Sequence, residues 1–302
     1  MPLQTEVRML TYMNDFLSRY PYPAEAKDAY LTALNTCLES SRACAMFEAL
    51  LKRYEDDMLT SYKALLEDMK TISEMIDIPE PVGNAILIIS LTKQLKVYYA
   101  QKGFSEELFY RTMHDILYKT LECKDVRGLY GIFVPDWYMF FFHLRTFSMQ
   151  RLQFQITNFG KEYTDGDVTL KPDSTIIAVH IPRTGTPMDH DLVLQDYAEA
   201  AKFFVENGYV ERPVFTCSSW LLFSRHREML SEKSNIIQFM NDFTILDERL
   251  YDDYAQVWRL FDMEYTGDVD ALPADSSLRR GYIDLIRKGE KTGTAVGIFI
   301  GE

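Results

Sequence analysis

The chain has 302 residues, of which 47% are apolar and 25% charged, with a formal net charge of −13. That length and apolar content suit two folded domains and argue against extensive disorder. The acidity, −4 up to Gly128 (15 basic against 19 acidic residues) and −9 after it (17 against 26), excludes nucleic acid as the expected partner. It does not exclude a small anion held locally.

Amphipathic helical spacing begins with Val7, Leu10, Met13 and Leu17 and resumes through Tyr30, Leu31 and Leu34. Further helices are expected over Ala43–Leu59, Tyr62–Ile76, Asn84–Tyr99 and Glu106–Leu121, interrupted by Pro21, Pro23, Pro79, Pro81 and Gly103. The stretch Ile86–Leu91 is apolar on all sides, which marks the central helix of a bundle. His114 and His143 read as hydrogen-bonded structural histidines, and nothing here has metal-site spacing. The expected organisation is a helical N-terminal domain, residues 1–128, followed by an α/β domain, residues 129–302.

In the second domain, Leu152, Phe154 and Ile156 alternate with Gln153, Gln155 and Thr157, the period of a half-buried strand. Asp165-Gly166 suits a tight hairpin turn. Thr175–Ile181 reads as a central strand, followed by the loop Arg183-Thr184-Gly185-Thr186-Pro187 and a helix with Pro187 in its first turn. That helix runs through Leu192, Leu194, Tyr197, Ala201 and Phe204 and stops at Asn207-Gly208. A strand over Val214–Leu222, a helix over Arg227–Phe239, strands near Phe243–Leu246 and Val257–Phe261, a helix over Leu278–Lys288 and a strand over Thr294–Ile300 complete the series. The fold class is α+β: a helical bundle, then a mixed sheet flanked by helices.

Cys37, Cys44, Cys123 and Cys217 lack Cys-x-x-Cys spacing, which fits reduced thiols in a cytoplasmic protein. Met1–Tyr20 lacks the pattern of a secretion signal, and the apolar runs Ala85–Leu91 and Tyr138–Phe142 are too short to cross a bilayer, so no membrane association is expected. Gly289–Gly293 has the wrong spacing for a phosphate-binding loop, and Asp268–Asp275 lacks the glycine and closing glutamate of a calcium loop. No Gly-x-Ser-x-Gly elbow supports a serine hydrolase.

The phrases Arg151–Phe154, Val179–Pro182, Cys217–Leu222 and Ser234–Phe239, with the closing segment Leu278–Ile300, resemble a bacterial acyltransferase-domain family. Its members join a helical N-terminal N-acyltransferase domain to a GNAT-like C-terminal domain. The resemblance implies transfer of an acyl group from acyl-coenzyme A to an amine-type small-molecule acceptor, without a metal, the coenzyme lying where two central strands splay apart.

The strand-loop-helix from Ile181 to Asp191 would offer backbone N–H groups to the diphosphate, with Arg183, Thr184, Gly185 and Thr186 as contacts. Against the family loop (Gln or Arg, two residues, Gly, one residue, Gly or Ala), the spacing here departs, and Asp189 and Asp191 compete for the helix dipole. His180, at the end of the central strand, has the chemistry of a general base. Cys217 is a candidate acyl carrier if a base or positive field activates it. Ser218, at a position where the family phrase commonly has histidine, together with Trp220 and Asn235, is assigned to the substrate side. The degenerate loop and Ser218 keep an alternative open: an inactive GNAT-like protein that binds a ligand or partner.

Overall fold

The computed structural model describes residues 2–301, with side chains from Val7 onward. The chain divides into two compact units, residues 1–146 and 147–302.

In the first unit, helices α1 (Pro2–Ser18), α2 (Ala24–Glu39), α3 (Ser41–Asp56), α4 (Tyr62–Met75), α5 (Glu80–Gln101), α6 (Glu106–Met113) and α7 (Asp115–Arg127) follow one another. Ser40, Ser61 and Ser105 cap α3, α4 and α6, each accepting an N–H that would otherwise lack a helical partner. Every residue of α5 from Val82 to Ile89 is buried, as expected for an all-apolar central helix. The single helix expected over Glu106–Leu121 is broken at His114. There the buried Asp115 carboxylate opens α7 and accepts the Trp137 indole N–H (3.1 Å) and the Tyr138 hydroxyl (2.8 Å).

The division expected after residue 128 falls instead after residue 146, because the intervening segment is bonded into the bundle. A 3₁₀ turn (Pro135–Tyr138) and α8 (Met139–Phe142) occupy it. The Tyr54 and Tyr62 hydroxyls donate to the carbonyls of Phe142 (2.8 Å) and Pro135 (3.1 Å), and the Asn84 amide donates to Ile132 O (3.1 Å). His114 stacks on Tyr118 at 4.6 Å, and burial lowers the pKa of both His114 and His143, which suits structural histidines.

The second unit opens with β1 (Thr146–Ser148), which begins one residue before the division, and β2 (Gln153–Asn158). A hairpin of β3 (Tyr163–Asp165) and β4 (Val168–Leu170) turns at Gly166, where φ is +56°. Then come β5 (Thr175–His180), α9 (His190–Glu206), β6 (Val214–Ser219), α10 (His226–Met229), α11 (Asn235–Asn241), β7 (Thr244–Leu250), α12 (Trp258–Phe261), α13 (Ser277–Arg287) and β8 (Gly293–Ile300). Six strands form one sheet in the order β1-β2-β5-β6-β8-β7, while β3 and β4 form a separate ribbon. The β5–β6 pair is parallel, and the β2–β5, β6–β8 and β7–β8 pairs are antiparallel.

On one sheet face, Tyr197 of α9 packs its ring against Phe154, Phe215 and Phe299. On the other, Val168 and Leu170 of the ribbon join Ile176, Val214 and Ile298 in a core. Four expectations are corrected. Val257–Phe261 is not a strand: Val257 and Phe261 are buried four residues apart, a helical spacing, in a 3₁₀ turn (Ala255–Val257) leading into α12. The helix expected over Arg227–Phe239 is two short ones, because Ser234 starts a new helix by accepting Ile236 N–H. Strand β6 ends at Ser219, whose hydroxyl caps a 3₁₀ turn over Trp220–Leu222. Helix α9 begins at His190 rather than at Pro187 because the Asp189 carboxylate accepts the Asp191 and Leu192 N–H groups.

Asp196 of α9 is fully buried, and its carboxylate accepts three consecutive backbone N–H groups, Gln150 (2.9 Å), Arg151 (2.7 Å) and Leu152 (2.6 Å). Burial pushes this carboxyl upward, outweighing the downward pull of the three donors. Removing the carboxylate leaves those donors unpaired in the interior. Asp196→Ala is therefore expected to cost about 3–5 kcal/mol in denaturant unfolding. Asp196→Asn should also lose stability, since its NH₂ group faces a donor. A loss below about 1 kcal/mol for both variants would contradict this anchoring.

Candidate active site

The parallel ladder between β5 and β6 pairs Ile177 with Phe215 and Ala178 with Thr216, and goes no further. Each strand nevertheless stays paired on its outer side. Strand β5 remains in register with β2 as far as His180 opposite Gln153, and β6 with β8 as far as Ser219 opposite Ala295. The two central strands therefore part at their carboxyl ends while both are held from outside. A crevice beyond the carboxyl ends of parallel strands is where α/β sheets characteristically bind ligands.

Alternation sorts the side chains at this fork. Phe215 and Cys217 share the face covered by α9, whereas Ala178, His180, Thr216 and Ser218 share the other. The second face is polar near the fork: His180 Nε2 lies 3.0 Å from Gln155 Oε1, the Thr216 hydroxyl donates to Gly297 O at 3.0 Å, and Ser218 is exposed. Of the residues proposed from sequence, His180 and Ser218 thus sit on one face of the two diverging strands.

Cys217 does not join them. It is completely buried on the α9 face, and burial pushes its thiol well above the ordinary range. Such a thiol stays protonated, so Cys217 is corrected from candidate acyl carrier to core residue. Trp220 has left the strand, so alternation does not assign its face. It is half-buried and packs edge-on against His226 (5.7 Å) and Tyr282 (6.3 Å). Asn235 opens α11, and because Ser234 supplies the cap its own amide is not spent there.

The loop from β5 to α9 is exposed from Arg183 to Pro187 except for half-buried Thr184. Gly185 has φ +76° and a Cβ there would meet nothing within 4 Å, so the left-handed turn, not crowding, calls for glycine. The Thr184 and Thr186 hydroxyls are 2.8 Å apart, and Thr186 N–H donates to the Thr184 hydroxyl at 3.3 Å. Arg183 Nη2 is 3.1 Å from Asp262 Oδ1. The Asp189 carboxylate already holds two N–H groups at the start of α9, so an anion would depend on the loop more than on the helix end.

Three supporting groups escaped the sequence reading. Buried Arg151 donates from Nη1 to Pro182 O at 3.0 Å, fixing the first residues of the loop from below. His190 Nε2 is 2.8 Å from Asp242 Oδ1, and the Tyr197 hydroxyl donates to Asp242 Oδ2 at 3.4 Å, tying the first turn of α9 to the end of α11. Burial raises the pKa of Asp242. Buried His226 donates from Nδ1 to Leu221 O (3.2 Å), and its Nε2 lies 2.8 Å from the Tyr282 hydroxyl, which donates to it when the ring is neutral. These partners lie 31, 52 and 56 residues apart in the chain, beyond any local spacing rule. Among the described residues no group of three or more His, Cys, Asp or Glu is arranged to hold a metal ion, and no helix is long and apolar enough to cross a membrane.

A mixed sheet with two central strands forked at their carboxyl ends, followed by a loop and a long helix, defines the GNAT-like class of fold. Residues 146–299 match the model of the GNAT-like C-terminal domain, and residues 12–144 match that of the N-acyltransferase N-terminal domain. The chain belongs to the GNAT-like C-terminal domain family, with an N-acyltransferase N-terminal domain ahead of it. Among solved structures it is similar to an acyltransferase in complex with decanoyl-CoA and teicoplanin, at TM-score 0.73 and 19% identity over 95% of this chain and 87% of that one. A mutant acyltransferase in complex with octanoyl-CoA gives TM-score 0.74 and 19% identity, over 96% and 87%. A comparison with curated proteins finds no match.

Burial lowers the His226 pKa to about 4, from an ordinary 6.5. The folded protein then binds fewer protons than the unfolded chain between those values, so this group's stabilisation, complete above pH 6.5, is lost as pH falls to about 4. Its size is about 3 kcal/mol. In urea unfolding, the stability gap between wild type and His226→Phe should narrow by about that amount across this window. A gap independent of pH would contradict the neutral, buried assignment.

Proposed function

We propose that this protein is an acyl-coenzyme A-dependent acyltransferase that delivers the acyl group to an amine-type acceptor. The observation that carries the reading is the fork: β5 and β6 stop pairing after Ala178 and Thr216 while their outer partners hold them apart. Inner strand edges freed in this way suit an amide-bearing pantetheine arm, which can bond to backbone groups as an added strand does. The similar solved acyltransferases that carry decanoyl-CoA and octanoyl-CoA support the choice of substrate.

In this reading the loop Arg183, Thr184, Gly185 and Thr186 faces the diphosphate, with Arg151 bracing it through Pro182. His180, oriented by Gln155, takes the proton from the attacking amine. The nitrogen then attacks the thioester carbonyl, the carbon–sulfur bond breaks, and the departing thiolate takes up a proton to leave as free coenzyme A. Ser218, Trp220 and Asn235 belong to the acceptor side. A non-catalytic ligand-binding protein is the second reading, favoured by the self-capped start of α9 and by Ser218.

Octanoyl-coenzyme A at a hundredfold its dissociation constant should stabilise the folded protein by about 2.7 kcal/mol, seen as a raised Tm. With an amine panel, free coenzyme A should be released, and His180→Gln should lower kcat roughly 10²–10⁴-fold while leaving the substrate-induced Tm rise in place. Binding without release would favour the second reading. Flat melts with every acyl-coenzyme A would remove the transferase reading.

A further inference from the structure

A groove of about 630 Å³ opens in the helical unit among α1, α3 and α5. Its apolar lining includes Met9 and Tyr12 of α1, Ala45 and Ala49 of α3, and Leu91 and Val97 of α5. Ala45 and Ala49 stand four residues apart on one face of α3, and both are exposed, so longer side chains there would occupy the groove. Val97 is 45% exposed, and Met9 and Tyr12 are half-buried. The Tyr12 hydroxyl lies 2.8 Å from the buried Thr92 hydroxyl and is spent within the bundle, so charge at the groove comes from other residues.

Glu48, Lys52 and Glu55 of α3 and Lys93 of α5 also line the groove. Lys52 is engaged within its own helix: it is bonded to Asp56 and lies 3.9 Å from Glu55. Among the described residues Glu48 and Lys93 pair neither with each other nor with any other group. One charge of each sign is therefore left over at the groove. A fatty carboxylate would meet Lys93 but be repelled by Glu48, an alkylamine would meet Glu48 but be repelled by Lys93, and an uncharged apolar molecule would use neither. A ligand with both an ammonium and a carboxylate complements the two together. The volume falls in the range of sites for drug-sized molecules, roughly 300–1,000 Å³, which suits a short peptide better than a free amino acid.

We infer that this groove binds a short zwitterionic peptide with apolar side chains. Its ammonium faces Glu48, its carboxylate faces Lys93, and its side chains lie over Ala45, Ala49 and Leu91. The site is built by residues of the helical unit and stands or falls independently of the acyltransferase reading.

The test is calorimetric titration of wild type, Glu48→Gln, Lys93→Gln and Ala49→Phe with three probes: leucyl-leucine, its N-acetyl form, which lacks the ammonium, and its C-terminal amide, which lacks the carboxylate. Wild type should bind leucyl-leucine about twofold to fivefold more tightly than either capped form, the range of an exposed ion pair. Glu48→Gln should erase the preference over the N-acetyl form only, and Lys93→Gln the preference over the amide only. Ala49→Phe, at an exposed position, should abolish binding of all three probes while leaving Tm unchanged. Should Ala49→Phe fold poorly, the two charge variants still decide the matter, since each is read against its own capped probe. No binding by wild type, equal binding of capped and uncapped peptides, or undiminished binding by a folded Ala49→Phe would overturn the site.

Discussion

The arrangement depends on a parallel contact two residue pairs long. Strands β5 and β6 meet only at Ile177–Phe215 and Ala178–Thr216. Had the ladder continued to His180 and Ser218, the inner strand edges would be joined to each other, with no room for a third chain of amides. The parting is possible because each strand keeps an antiparallel partner on its far side, β2 for one and β8 for the other. A single sheet thus supplies both the rigidity and the opening, and it sets His180 and Ser218 on the same face across the fork.

Around that opening the chain commits several buried polar groups whose purpose is geometric. Asp196 holds the backbone ahead of β2 to α9, and Arg151, within that backbone, holds the Pro182 carbonyl at the start of the loop. His190 and Asp242 join the other side of α9 to α11. Buried polar groups are costly unless fully paired, so such clusters specify one arrangement of α9 and its neighbours rather than merely adding attraction. The exposed loop they support carries the facing hydroxyls of Thr184 and Thr186 and the half-exposed Arg183–Asp262 ion pair.

Much of the fold was legible because its signals are local. Apolar spacing located α1 to α5 and α9, alternation located β2, and Asp165-Gly166 announced the ribbon turn. Failures came where a side chain acted over distance or where charge masked a strand. Strand β7 runs to Leu250, through Asp247, Glu248 and Arg249, because an edge strand exposes its side chains and tolerates charge. Val257–Phe261 was misjudged because a short apolar run fits either period. At the site, His180 and the loop were visible as residue types following a strand. The burial of Cys217, and the pairings of Arg151 with Pro182, of Asp196 with the backbone of residues 150–152 and of His226 with Tyr282, required the tertiary fold, since these partners lie far away in sequence.

The central claim is that substrate occupies the fork between β5 and β6. A structure determined with octanoyl-coenzyme A tests it most directly. The account predicts the pantetheine arm between the two strands beyond Ala178 and Thr216, with the thioester on the side of His180 and the diphosphate over Arg183–Thr186. Coenzyme bound elsewhere on the protein, or β5 and β6 paired through to His180 with no ligand between them, would contradict it.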